Sequence, residues 1–153
     1  MCADRTSSDS DAVRYDAALD DVDWSRLMND LESDDFHNGR TPAELEASFR
    51  NSQIVVLAWS RDRVVGTARA LSDGVCNTYV IDVWTQSAHR RRGIARRMMG
   101  AIEAAVPGQH VFLTTHDAAT LYEALGYERD GIGFGKVVGL WLGRYPPRPA
   151  RVP

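Results

Sequence analysis

The chain has 153 residues, 44% hydrophobic and 25% charged, with a net charge of −3. That is the size and composition of one globular domain, and it excludes wholesale disorder and fibrous repeats. Its longest strongly apolar run, Ile54 to Trp59, falls far short of the roughly 20 residues that cross a bilayer.

Residues 1–8 hold no apolar stretch for a signal peptide. Cys2 and Cys76 make no disulfide framework, and His37, His89, His110 and His116 offer no structural zinc spacing. A reduced cytoplasmic location, with no membrane and no metal, is the expectation. Residues 1–47 carry 13 acids against 4 arginines, whereas residues 48–153 carry 8 acids against 14 bases. Lys136 is the sole lysine.

In chain order, residues 1–12 are small, polar and acidic and read as a disordered tail. Val13–Ala17 is a short strand. Acids at Asp20–Asp23 precede Trp24, Leu27, Met28 and Leu31, whose spacing marks one face of a helix. Thr41-Pro42-Ala43-Glu44 starts a second helix, with Thr as N-cap, Pro at the first position and Glu at the third; Leu45 and Phe49 form its buried stripe. Ile54–Trp59 and Val64–Leu71 form a hairpin about Ser60-Arg61-Asp62. Asp73-Gly74 turns the chain into a further strand, Val75–Thr85. After the loop Gln86–Arg92, Ile94, Met98 and Ile102 share a helix face that ends at Pro107-Gly108. Val111–Thr114 is a strand, Asp117–Leu125 a helix closed by Gly126, and Gly131–Leu142 a last strand or hairpin. The fold class is a mixed α/β (α+β) central sheet flanked by helices. Residues 13–145 form one domain, and 146–153 a C-terminal tail.

The most informative segment is Asp82–Ala95. A strand runs into a basic loop and then into Gly93 at the head of a helix, where free N–H groups and the positive dipole end suit a phosphate or pyrophosphate. Arg90, Arg91, Arg92, Arg96 and Arg97 crowd this terminus and oppose its dipole, an arrangement that a bound polyanion reverses.

Arg90-Arg91-Arg92-Gly93-Ile94-Ala95 resembles the acyl-CoA signature R/Q-x-x-G-x-G/A of the GNAT superfamily of N-acetyltransferases, and it follows the strand Ile81-Asp82-Val83-Trp84-Thr85 as that family requires. Ala118 to Tyr127 is similar to the second motif, A-x-x-L-Y-x-x-x-G-F/Y. The two matches occur in the family's order over about residues 53–142. Within the superfamily, the resemblance is to the small bacterial and plastid serotonin N-acetyltransferase-like type, through Val65–Gly74 and Asp82-Val83-Trp84.

This resemblance implies a sheet splayed at the acetyl-CoA strand, with the backbone of Val83, Trp84 and Thr85 pairing with the pantetheine arm. A main-chain N–H of that stretch then polarises the thioester carbonyl. The amides of Arg91, Arg92, Gly93, Ile94, Ala95 and Arg96 take the pyrophosphate with Arg90 nearby, and Tyr122 is the acid for the departing sulfur. Thr115 stands where the family often has Asn, and Ser87 replaces its usual loop proline. A homodimer is also implied.

Acetyl transfer to an alkylamine needs the uncharged amine, which costs roughly 4.6 kcal/mol at neutral pH for a pKa of about 10.4. The candidate bases are Asp82 first, because an acid within an apolar strand needs a reason, then Tyr79 and Asp73. The alternative for Asp82 is a structural clamp. Counting by twos along the strand puts Tyr79 and Asp82 on opposite faces. His89 and His116 titrate in the right range but read as surface groups. Asp20, Asp21, Asp23, Asp30, Asp34 and Asp35 are placed to attract a cationic acceptor, with Trp24, Phe36 and Trp84 as its aromatic wall. Cys76 has no His partner, so direct attack is expected in place of an acyl-enzyme. The expected reaction is acetyl-CoA-dependent acetylation of a small cationic amine. Acetylation of protein lysines or N-termini, and a non-catalytic acyl-CoA-binding module, are the alternatives. Nucleic acid is excluded as a partner by the negative charge and by the better use for the arginines.

Overall fold

The computed structural model describes residues 12–146, which form two compact units, one through Leu113 and the other from Thr114. Nearly all of both expected tails, and Cys2, lie outside the described residues.

The first unit is a five-stranded sheet in sequential order: β1 (Arg14–Asp16), β2 (Ile54–Ser60), β3 (Arg63–Ser72), β4 (Asn77–Thr85) and β5 (His110–Phe112). The first four strands pair antiparallel, and β5 joins β4 in parallel. One sheet face is covered by α1 (Trp24–Ser33) and α2 (Pro42–Arg50). Leu27, Leu31, Leu45 and Phe49 pack there with Leu57, Trp59 and Trp84.

Both helix starts follow from local chemistry. Asp23 caps α1 by accepting the Arg26 amide, and Thr41 and Glu44 close a reciprocal capping box on α2. Helix α3 (Ile94–Ala105) covers the opposite face with Ile94, Met98, Met99 and Ile102. Its close approach requires Gly66, where a Cβ would stand 2.9 Å from Ile94 Cγ2 and 3.2 Å from Met98 Cε.

Two expected strands differ. The strand expected from Val75 begins at Asn77, because the Asp73 carboxylate accepts the amides of Val75, Cys76 and Asn77 at 2.8, 2.8 and 3.0 Å and holds those residues in a turn. Cys76 is therefore exposed in that turn and not on the strand.

Gly131–Leu142 forms no strand, and the only pairing there is an isolated bridge between Trp141 and Tyr145. Four of its residues are glycines, which add backbone entropy and give a strand nothing to pack; Gly131 and Gly139 have φ of 69° and 73°. Ile132, Phe134 and Val138 are exposed.

In the second unit, α4 (Ala119–Ala124) starts two residues later than expected. It ends in a Schellman turn, with Tyr127 N–H donating to Tyr122 O and Gly126 N–H to Glu123 O, so Gly126 (φ 89°) lies one position past the C-cap Leu125.

Candidate active site

The end of β4 departs from regular strand geometry in two ways. First, β5 pairs only with Asn77–Tyr79, so the β5-side edge of β4 from Val80 to Thr85 has no strand partner among the described residues. The sheet is open there. Second, Asp82 and Val83 together oppose the single residue Ala68, and Asp82 has φ 53°: a bulge of the type that usually carries glycine at this position.

The bulge corrects the period-two count. Asp82 meets Arg69, whose strand partner is Ile81, so its carboxylate lies on the sheet face that alternation assigns to Tyr79. Downstream of the bulge, Trp84 pairs with Thr67 and lies within the α1/α2 core.

The bulge is pinned by three side chains. Thr67 Oγ1 on β3 donates to the Asp82 carbonyl at 2.9 Å. Arg69 Nε, also on β3, donates to Asp82 Oδ2 at 2.7 Å, and Arg69 Nη1 donates to Ser52 Oγ at 3.1 Å. Arg40, just before α2, donates to Asp82 Oδ2 at 2.7 Å and Oδ1 at 3.3 Å, and to Ser48 Oγ at 3.1 Å. Side-chain exposure is only 7% for Arg40, 12% for Arg69 and 6% for Asp82. A left-handed Asp costs roughly 1–3 kcal/mol, and this set of bonds holds it.

Beyond β4, the chain makes one 3₁₀ turn (Ser87–His89) and reaches α3 through Arg91 (φ 61°) and Gly93 (φ 77°). Gly93 is the N-cap and supplies no side-chain cap, so the amides of Ile94, Ala95 and Arg96 have no partner in the helix. A Cβ on Gly93 would meet nothing within 4 Å, which leaves the approach to those amides open. Arg91, Arg92 and Arg96 are exposed, while the Ile94 side chain is in the core.

Arg90 is already engaged: its Nε donates to the Thr85 carbonyl at 3.1 Å, and its guanidinium lies 3.4 Å from Asp34. Arg97 lies over the Tyr15 ring. Thr85 Oγ1 and His89 Nδ1 are buried and make no hydrogen bond among the described residues.

Several of the acids expected to attract a cation already have partners within the protein. Asp34 accepts Trp84 Nε1 at 2.9 Å and the Ser87 amide at 3.0 Å. Asp30 is bridged by Arg63, Asp20 pairs with Arg50, and Asp23 caps α1. The expected aromatic wall is core too, with Trp24 and Phe36 packed on the cluster that contains Trp84.

Tyr122 belongs to the second unit, where it is buried edge-on against Tyr127 at 5.9 Å between ring centroids. Burial, and then the Asp117 carboxylate, push its hydroxyl above the usual value of 10. Asp73, exposed in its turn, is held well below the usual carboxylate range by the three amides it accepts.

The structure thus brings Asp82, Val83, Trp84, Thr85 and the 90–96 loop onto one continuous stretch. It adds Arg40, Arg69 and Thr67, which the sequence reading missed. The one local signal was an arginine inside the apolar strand Val64–Leu71.

A model of the acetyltransferase (GNAT) family matches residues 22–127. No curated protein matches the sequence. Among solved structures, a candidate acetyltransferase of Deinococcus radiodurans R1 superposes with a TM-score of 0.70 at 24% identity over 81% of this chain and 87% of its own. A GNAT-family acetyltransferase of Streptococcus pneumoniae TIGR4 gives 0.66 at 22% over 83% and 97%. Glucosamine-6-phosphate N-acetyltransferase of Arabidopsis thaliana gives 0.65 at 13% over 84% and 99%.

Proposed function

Because the chain belongs to the acetyltransferase (GNAT) family, we propose that it transfers the acetyl group of acetyl-CoA to the primary amine of a small molecule by direct attack. The observation that carries this reading is the open β4 edge leading into an uncapped helix terminus at Gly93. An extended pantetheine arm needs unpaired strand groups, and a diphosphate needs convergent amides with cations around them.

Val83, Trp84 and Thr85 hold the arm in this reading, and Thr85 Oγ1 is a buried group still lacking a partner among the described residues. The amides of Arg91–Arg96 take the diphosphate. Arg90 is shared with Asp34 and Thr85, and serves first to hold the loop. In this reading a main-chain N–H at the bulge faces the thioester oxygen as negative charge develops there.

Tyr122 supplies the proton for the departing sulfur. Its raised pKa keeps it protonated through neutral pH, as an acid requires. With its carboxylate already receiving N–H bonds from Arg40 and Arg69, Asp82 positions the bulge and is not the base. The serotonin N-acetyltransferase-like subtype and a cytoplasmic location complete the reading. So does a homodimer, which rests on β5 being an edge strand with Phe112 exposed.

The test is calorimetry with acetyl-CoA, followed by thiol release with a panel of monoamines and lysine peptides. Binding heat with amine-dependent release is expected. Tyr122→Phe should lower kcat about a hundredfold or more while leaving acetyl-CoA affinity in place. Binding without release by any acceptor would assign the chain to acyl-CoA binding alone.

A further inference from the structure

Among the described residues, the group around Asp82 is not electrically neutral. Arg40 and Arg69 contribute two positive charges and Asp82 one negative charge, and among the described residues no second carboxylate pairs with either arginine. Its other neighbours do not cancel the surplus. The His37 carbonyl accepts Arg40 Nε, and His37 Nδ1 accepts the Gly39 amide. Ser48 on α2 and Ser52 just beyond it present neutral oxygens, while Glu44 is held in the capping box. On β3 Arg69 is the charge in reach, Arg63 being bridged to Asp30, and Tyr79 is a titratable group that β4 adds on this face. Asp34, at the end of α1, is matched by Arg90.

We propose that this surplus positive charge, one residue from the Val83–Thr85 edge, keeps the incoming amine uncharged and nucleophilic and selects against acceptors bearing a second cationic group. The inference rests on the acetyltransferase reading above and deepens it. The protein's answer to the cost of the neutral amine is then a field and not a base. The uncharged amine forms its C–N bond to the acetyl carbon and the C–S bond breaks; the amine proton leaves to solvent, and the sulfur takes a proton from Tyr122 to leave as the thiol, solvent then reprotonating Tyr122. Charge one residue away acts without contact. A unit charge roughly 10 Å off in an effective dielectric of about 20 changes an ionisation equilibrium about tenfold.

The experiment follows kcat against pH at saturating acetyl-CoA and 2-phenylethylamine, or the best monoamine of a panel, because kcat reports groups in the ternary complex. Arg69→Gln cancels the surplus, so the rise of kcat with pH should move up by about one unit. Arg69→Lys perturbs the same bonds but keeps the charge, and its rise should stay at the wild-type pH. Asp82→Asn doubles the surplus and, where it folds, should move the rise down while retaining turnover. In wild type, 1,4-diaminobutane should be about tenfold poorer than the monoamine in kcat/KM, and Arg69→Gln should narrow that gap.

Identical profiles for Arg69→Lys and Arg69→Gln would overturn the inference. So would a folded Asp82→Asn protein that loses a hundredfold or more in kcat, which would make Asp82 the base. Wild type that turns over no amine would overturn the acetyltransferase reading and this one together, and the wild-type control alone identifies that outcome.

Discussion

Two sets of arginines frame the end of β4, and they are used in opposite ways. Arg40 and Arg69 are largely buried, and both donate to Asp82. Arg91, Arg92 and Arg96 lie on the surface around a helix terminus that already carries positive potential. The inner pair is part of the fold, and removing its carboxylate strands two buried cations. The outer set does nothing for the fold, opposing the α3 dipole instead, and it becomes favourable only when an anion arrives. Burial and partners decide which arginines hold the protein together and which wait for a ligand; residue type does not.

The largest effect should come from breaking the inner set. Asp82→Ala leaves both guanidiniums buried without their carboxylate, and a loss of about 3–5 kcal/mol in chemical denaturation is expected. A loss below 1 kcal/mol would show that the two sets are not different in kind.

The outer set should respond in the reverse sense. Arg92→Ala and Arg96→Ala should each weaken acetyl-CoA binding about tenfold by calorimetry, less at high salt. The unliganded protein should keep its stability or gain about 0.3–1 kcal/mol as dipole repulsion is relieved.

The smallest effect sharpens the comparison with an exposed carboxylate. Asp73 is held ionised by the turn amides, with a folded pKa below its unfolded value of about 3.8. Its stabilising contribution is therefore present above that value and is lost as pH falls through the lower folded one. The melting-temperature gap between wild type and Asp73→Asn should be open at neutral pH and narrow progressively as pH falls below about 3.8.

Most elements were legible from periodicity and caps. The α1 face at Leu27, Met28 and Leu31, the Thr41–Glu44 capping box, the β2–β3 hairpin and the Gly93 helix start all appear as read, because each is set by residues within a few positions of one another. The failures share a cause. Val75 and Cys76 read as strand by composition, but the Asp73 side chain claims their amides. Gly131–Leu142 has the apolar content of a strand without side chains at alternate positions to pack. The bulge at Asp82 breaks the alternation of faces inside a stretch that is apolar nearly throughout, so Tyr79 and Asp82 were assigned to opposite faces.

By itself, the amino-acid sequence determined the element order as far as α4, the starts of α1, α2 and α3, and the loop that offers amides at Gly93, since local geometry suffices for each. Only the tertiary structure decided what Asp82 does. Its partners are 42 and 13 residues away in the chain, and an isolated acid in an apolar strand looks the same whether it faces an amine or two arginines. The same holds for Asp34, which spacing presents as one acid among many on α1's side of the chain and which the fold ties to Trp84 and Ser87. Charge is written in the sequence, but its neutralisation depends on which groups folding brings within about 3 Å, and that is a property of the packed chain.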